Sequence, residues 1–287
     1  MNESDRFFVV LGAGGMLGTA LSAALRRRPG RVAALTRADL DLTDGDAVRA
    51  RLADLRPDVV FNCAAFTRVD ECESNEPAAM RINADAPGAV AQTARGLNAR
   101  FVHLSTDYVF AGDRPAPYRE SDPPGPPEAL CVYGRSKLLG EQQVAAAGGR
   151  WLIVRTSWLF GPAGPNFVAT ILKLARTRPE LRVVDDQRGR PTYASDLADA
   201  LIGLCERGAE GIVHVANAGA CTWFEFAREI VRRAGLATPV HPCRTEEFPR
   251  PARRPANSVL DTTRFEHLAG RRLRPWADAL ADYLKPD

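Results

Sequence analysis

The stretch Phe7-Phe8-Val9-Val10-Leu11-Gly12-Ala13-Gly14-Gly15-Met16-Leu17-Gly18 joins an apolar run to a turn of glycines, and helical periodicity follows over Thr19 to Arg28. Strand, glycine turn and helix in that order suit a dinucleotide. The glycines let backbone approach a pyrophosphate closely, and the helix N-terminus offers N–H groups and a positive dipole end. Gly12, Gly15 and Gly18 stand three apart, as G-x-x-G-x-x-G, with Leu17 in the slot where the older dehydrogenase pattern G-x-G-x-x-G puts its last glycine. Gly12, Gly15, Met16, Leu17 and Gly18 are therefore the first candidate cofactor contacts.

Outward from this turn, strands and helices alternate. Arg31 to Thr36 reads as a second strand, Asp44 to Leu55 as a helix with Thr43 as N-cap, and Asp58 to Ala64 as a third strand whose unbroken apolar run suits a parallel sheet. Helical Ala84 to Leu97 leads to strand Phe101 to Ser105, and helical Ser136 to Ala147 leads to strand Trp151 to Thr156. This repeated βαβ order predicts an α/β, Rossmann-like, doubly wound parallel sheet with its ligand beyond the carboxyl ends of the strands. After Gly161-Pro162 the rhythm breaks. A dinucleotide-binding domain over residues 1–160 is expected, with 193–216 returning to it, and a smaller C-terminal substrate-binding lobe over 161–192 and 217–287. Within that lobe the Pro- and Arg-rich Pro239 to Pro255 reads as a loop wrapping a site.

Candidate chemistry collects at the strand ends. Asn62-Cys63-Ala64-Ala65 closes the third strand with small residues, which admits a cofactor near Ala64 and Ala65. Ala34-Leu35-Thr36-Arg37 ends the second strand in a hydroxyl and a guanidinium, where an acid would repel a 2′-phosphate, so NADPH is the expected cofactor. The competing reading gives the ribose to Asp39 and admits NADH. Tyr133 and Lys137, four residues apart, share a helix face, and an ammonium beside a phenol lowers its pKa toward that of a useful proton donor for a carbonyl. Thr106, at the end of the strand before them, can hydrogen-bond the same carbonyl oxygen.

Composition fits a soluble enzyme. The chain has 287 residues, 45% hydrophobic and 25% charged, enough for a large core. Its 38 basic and 35 acidic residues are interspersed, and the net charge of +3 gives no stripe for nucleic acid. No segment has the apolar length of a membrane span, and Met1 to Asp5 lacks the basic and apolar regions of a signal peptide, so a cytoplasmic location is expected. The six cysteines include no C-x-x-C pair, which argues against structural zinc or a disulfide framework.

Gly12-x-x-Gly15-x-x-Gly18, Asn62 to Asp70, Ser105-Thr106-Asp107-Tyr108-Val109-Phe110, Val132 to Lys137, Arg155-Thr156-Ser157-Trp158, Asp186 to Thr192 and Arg254-Pro255-Ala256-Asn257-Ser258 together resemble the extended short-chain dehydrogenase/reductases, and within them the dTDP-4-dehydrorhamnose reductases. The resemblance runs nearly end to end. Its departures are Cys131 where the family usually has Asn, Phe66 where Tyr is common and Cys63 where Ala is common.

The resemblance implies a catalytic trio of Thr106, Tyr133 and Lys137, of which Tyr133 and Lys137 would also contact the cofactor, Lys137 holding the nicotinamide ribose, with Asp41 and Leu42 flanking adenine. It also implies a substrate set of Thr67, Val69, Asp107, Tyr108, Trp158, Asn166, Arg254 and Asn257 around a dTDP-linked 4-keto-6-deoxysugar. Trp158 would lie against the sugar, while Arg254 and Asn257 suit the diphosphate. The implied reaction is NADPH-dependent reduction of the 4-keto group to give dTDP-L-rhamnose. Two other readings stand beside it: a 4-ketoreductase for another nucleotide-linked deoxysugar, and a non-catalytic Rossmann regulatory subunit, against which the intact trio argues. Some relatives pair into dimers around a magnesium ion held by carboxylates. Here those places are Ala20 and Ser195, so no metal is expected, and the chain should be a monomer or a metal-independent dimer.

Overall fold

β1 (Phe7–Leu11) is buried at every position and lies inside a parallel sheet. The computed structural model describes residues 6–285, so the reading of Met1 to Asp5 lies outside the described residues. After β1 come α1 (Met16–Arg26), β2 (Arg31–Leu35), α2 (Gly45–Leu55), β3 (Val59–Asn62), the short α3 (Val69–Ser74) and α4 (Glu76–Met80), a π turn (Arg81–Asp85), α5 (Ala86–Gly96), β4 (Arg100–Thr106), α6 (Val132–Ala147) and β5 (Trp151–Thr156). Beyond them lie β6 (Leu159–Phe160), α7 (Phe167–Thr177), β7 (Leu181–Val184), β8 (Arg188–Gly189), β9 (Thr192–Tyr193), α8 (Ala194–Glu206), β10 (Gly211–His214), β11 (Cys221–Thr222), α9 (Trp223–Arg233), β12 (Val240–Cys243), α10 (Thr263–Ala269) and α11 (Trp276–Tyr283).

The main sheet has the order β10-β5-β4-β3-β1-β2 with every pair parallel. The chain moves outward from β1 to β2, then returns to β3 on the other side of β1. A crevice for a ligand therefore opens at the carboxyl ends of β1 and β3. Period-two alternation divides the core. Phe8 and Val10 face Leu17, Leu21 and Leu25 of α1 and Leu197 and Leu201 of α8. Val9 and Leu11 face Val48 and Leu52 of α2, Val90 of α5 and Val144 of α6. Truncating one of these fully buried residues, such as Leu21→Ala, should cost about 2–5 kcal/mol.

Local chemistry moves several expected boundaries. α1 begins at Met16, earlier than the periodicity alone indicates, because Gly15 is already its N-cap. The cap of α2 is Asp44, not Thr43: the Asp44 carboxylate accepts from the N–H groups of Asp46 and Ala47. Thr43 instead donates to Asp41. α6 begins at Val132, so Tyr133 sits in its first turn. Cys131 supplies no side-chain cap there, and Glu73 of α3 accepts from Val132 N at 2.8 Å in its place. Pro239 to Pro255 is not wholly loop, since β12 within it pairs in parallel with β7. Residues 193–216 supply the second residue of β9, all of α8 and β10, and β10 joins the main sheet beside β5. A separate apolar cluster joins Phe160, Val168 and Ile171 to Phe226, Ile230, Ala279 and Leu280.

Candidate active site

The glycine turn is shaped by close approach. Gly12 has φ +73°, and a Cβ there would lie 2.6 Å from Ala64 N, so β1 and the end of β3 touch backbone to backbone. A side chain on Gly18 would collide with Gly12 O, so Gly18 packs beneath the turn rather than facing a ligand. α1 carries no acid in its first turn, which leaves its N-terminus favourable to an anion. A cavity of about 350 Å³ opens there, with Gly12, Gly15, Arg37, Asp41, Leu42, Ala64 and Ala65 in its walls. These residues fit a dinucleotide. Asp39 is outside this wall, because its carboxylate accepts from Thr36 N at 2.8 Å and Thr36 Oγ1 at 2.7 Å. Those bonds hold it below the ordinary carboxylate value.

A second cavity, about 430 Å³, adjoins the first at Gly15 and is lined by Met16, Leu17, Thr67, Val69, Thr106, Asp107, Tyr108, Tyr133, Lys137 and Trp158, among others. β4 delivers Thr106 and the 3-10 turn after it delivers Asp107, while the first turns of α6 deliver Tyr133 and Lys137. Asn83 in the π turn pins the wall between them: it accepts from Phe66 N at 2.8 Å and donates to Phe66 O at 3.1 Å and to Ser136 Oγ at 3.0 Å. Beneath, Glu141 of α6 forms a buried ion pair with Arg155 of β5, Nη2 to Oε2 at 2.6 Å, and also accepts from Ser105. Helix and strands are thereby held in one register.

Electrostatics differ from the expectation at Tyr133. Burial pushes its phenol up from the ordinary value, and a hydrogen bond with Thr106 opposes that shift. Lys137 is not turned to the phenol. Its Nζ donates to Leu104 O at 2.6 Å and lies 3.2 Å from His103 Nε2. Burial lowers Lys137 to about 8. Thr106 Oγ1 donates to Asp107 Oδ1 at 3.0 Å and accepts from Tyr108 N at 3.2 Å. Burial raises Asp107 to about 6. Ser258 and Thr106 oppose that shift from nearby, but no bond of full hydrogen-bond geometry reaches Oδ2 among the described residues.

A third cavity, about 440 Å³, is lined by Asp70, Tyr108, Gln187, Trp223, Phe248, Arg250 and Arg254 among others. Arg254 Nη2 donates to Asp70 Oδ1 at 2.9 Å, while its buried Nη1 has no partner among the described residues. Trp158 sits at φ +46°, a backbone region costly for a bulky residue. Asn166 and Asn257 line none of these three cavities. Asn166 caps α7 by accepting from Ala169 N, and Asn257 Nδ2 donates to Arg114 O at 2.6 Å. Short polar side chains at a helix start and a loop crossing are engaged by local backbone, which turns both away from these cavities.

Sequence reading missed Trp223 and His103. Trp223 lines both the second and third cavities. Its signal was the capping box Thr222-x-x-Glu225 that opens α9 and fixes which residue begins that helix. His103 gave no signal, being one residue in a strand. Among the described residues no three His, Cys, Asp or Glu side chains gather to hold a metal ion, all six cysteines are free thiols, and no helix is long and apolar enough to cross a membrane.

The family model described as "RmlD substrate binding domain" matches residues 6–287. The chain is 44% identical to the dTDP-4-dehydrorhamnose reductase of Streptomyces griseus, over 96% of this chain and 92% of that one. It is 43% identical to a probable dTDP-4,6-dihydroxy-2-methyloxan-3-one 4-ketoreductase of Streptomyces antibioticus, over 96% and 93%. The crystal structure of dTDP-4-dehydrorhamnose reductase from Bacillus anthracis in complex with NADP superposes with a TM-score of 0.93 at 37% identity, over 97% of this chain and 98% of that one. With strand order, glycine turn and relatives in accord along nearly its whole length, the chain belongs to the dTDP-4-dehydrorhamnose reductase family.

Proposed function

We propose that this chain reduces the 4-keto group of a dTDP-4-keto-6-deoxyhexose with NADPH, converting dTDP-4-dehydro-L-rhamnose to dTDP-L-rhamnose. The observation that carries this reading is the meeting of Thr106, Tyr133 and Lys137 in one cavity that shares Gly15, Cys63 and Ala65 as walls with the glycine-turn cavity. Gly12, Gly15, Arg37, Asp41, Leu42, Ala64 and Ala65 would hold the dinucleotide, whose nicotinamide would supply the hydride. Tyr133 gives its proton to the oxygen that becomes the alcohol. Thr106 holds that oxygen, which requires its O–H to swing from Asp107 to the substrate. Asp107 is then left to hold a sugar hydroxyl with its unpartnered oxygen. Thr67, Val69, Tyr108 and Trp158 wall the sugar, and Arg254 offers its free Nη1 to the diphosphate, where a guanidinium is a fitting partner.

The cofactor reading rests on Arg37, exposed in the wall, and on the withdrawal of Asp39 into Thr36. A division into a cofactor domain of residues 1–160 with 193–216, and a substrate lobe of 161–192 with 217–287, is supported by the separate apolar cluster of Val168, Ile171, Phe226 and Ile230, which Phe160 joins from the boundary. We take the chain to act in the cytoplasm as a monomer or metal-independent dimer. The second reading, reduction of another dTDP-linked deoxysugar, is favoured by the near-equal similarity to the Streptomyces antibioticus ketoreductase. Purified protein should be given NADPH and a panel of dTDP-4-keto-6-deoxyhexoses, and the alcohol identified by NMR. Rhamnose as the fastest product supports the first reading; a different alcohol formed faster supports the second; no turnover of any sugar removes both.

A further inference from the structure

Lys137 is backed by a histidine whose hydrogen-bond direction can be traced atom by atom. Asn62, His103 and Lys137 are all buried. Ala64 N donates to Asn62 Oδ1 at 3.1 Å. The other end of that amide, the Nδ2 donor, therefore faces His103 Nδ1 at 3.2 Å. A ring nitrogen that receives a donor presents its lone pair, so the neutral imidazole carries its proton on Nε2. His103 Nε2 in turn lies 3.2 Å from Lys137 Nζ. An ammonium has three donors and no acceptor, so it meets this Nε2–H donor against donor. The free amine, by contrast, accepts from Nε2–H and still donates to Leu104 O.

We propose that His103, oriented by Asn62, is a positioning residue that presents an N–H to Lys137, so that protonating Lys137 forces the ring proton from Nε2 to Nδ1 and breaks the contact with Asn62. The pocket thus fits the amine and makes Lys137 ready to part with its proton. The other groups around Lys137 do not impose this. Cys63, at the end of β3, is a thiol pushed up to about 12 by burial. Glu141, one turn along α6, is tied to Arg155 and Ser105. Tyr133 and Asp107 engage Thr106, Arg81 and Asp85 of the π turn are exposed, and Glu73 and Glu76 bond Val132 N and Arg135. The bearing of this network on turnover rests on the function proposed above, but the tautomer itself does not.

The chain has four histidines, so ¹⁵N-histidine NMR of the protein without substrate or cofactor is simple to assign, with His103→Asn identifying the signal. Above the titration of Lys137, Nε2 of His103 should be protonated and Nδ1 bare. As pH falls through that titration the two should exchange roles while the ring stays neutral. A ring protonated on Nδ1 at every pH, or a tautomer indifferent to pH, overturns the proposal. Asn62→Asp supplies a second arm, because a carboxylate accepts from both Ala64 N–H and Nδ1–H and turns the Nε2 lone pair to Lys137. The basic limb of kcat should then rise by about one pH unit, the worth of one hydrogen bond. An unmoved limb, with the ring still protonated on Nε2, also overturns it. Failure of every ketosugar as substrate would leave the NMR result intact.

Discussion

The indoles of Trp158 and Trp223 lie face to face, with centroids 3.5 Å apart and planes 6° apart. Gly189 packs against this stack, since any side chain there would collide with the Trp158 indole. Trp223 borders both the cavity that holds Tyr133 and the one that holds Arg254, while Trp158 lines the first, so Trp223 is a shared wall that the stack holds in place. Trp223→Ala should raise KM for the sugar nucleotide roughly tenfold while leaving the NADPH Kd unchanged, in keeping with ~0.5–1.5 kcal/mol for an aromatic pair. Steady-state kinetics and fluorescence titration check this, and an unchanged KM would refute it.

Tyr133→Phe removes the proton donor and nothing that touches the glycine turn. Turnover should fall by roughly 10²- to 10⁴-fold with cofactor binding retained. Lys137→Ala should harm both. If Tyr133→Phe keeps most of its kcat, the acid has been wrongly assigned.

Asp107 has a pH signature of its own. Burial raises it to about 6 against an ordinary 3.8, so between those values the folded chain binds more protons than the unfolded one. Stability contributed by this group therefore falls as pH rises from about 4 to 6, and stays low above. Asp107→Asn abolishes that fall. It should match the parent near pH 4 and exceed it at pH 7 by up to ~3 kcal/mol, with lower activity. Urea melts at the two pH values decide the matter; a variant less stable at pH 7 than the parent would contradict it.

Arg37 is expected to select the phosphorylated cofactor. Losing a charge-assisted hydrogen bond worth roughly 1.5–3 kcal/mol should cut the NADPH-over-NADH preference in kcat/KM by about 10- to 150-fold in Arg37→Ala. An unchanged ratio would return the ribose to Asp39.

Excess EDTA should alter neither mass by light scattering nor turnover, because an alanine at position 20 and a single neutral oxygen at Ser195 give a hard cation too few ligands. A chelator-induced change in mass with lost activity would show that other acids had taken over.

Residues close in sequence were legible from sequence. Leu11 to Gly18 had to be strand, turn and helix, because only glycine tolerates the contact of Gly12 with Ala64 and the crowding of Gly18 under Gly12 O. Tyr133 and Lys137 share a helix face by the helical repeat alone, and the alternation of apolar segments implied the parallel sheet that forms. Boundaries were less clear, as at Asp44, where a cap depends on which neighbouring oxygen reaches the free N–H groups.

What only the tertiary structure decided is direction and partnership. Spacing placed Lys137 beside Tyr133, but burial under β4 turned its amine to Leu104 O and His103 instead. Nothing local in the chain links Asp70 to Arg254, Trp158 to Trp223, or Asn62 through His103 to Lys137, because each pair is separated by tens of residues or more and meets only when the strand ends converge. Asn166 and Asn257 show the converse, since motif position suggested a ligand while nearby carbonyls claimed their amides. Periodicity and glycine sterics act along the chain and can be read there; charge state and hydrogen-bond direction depend on burial and on what lies opposite, and these exist only once the chain has folded.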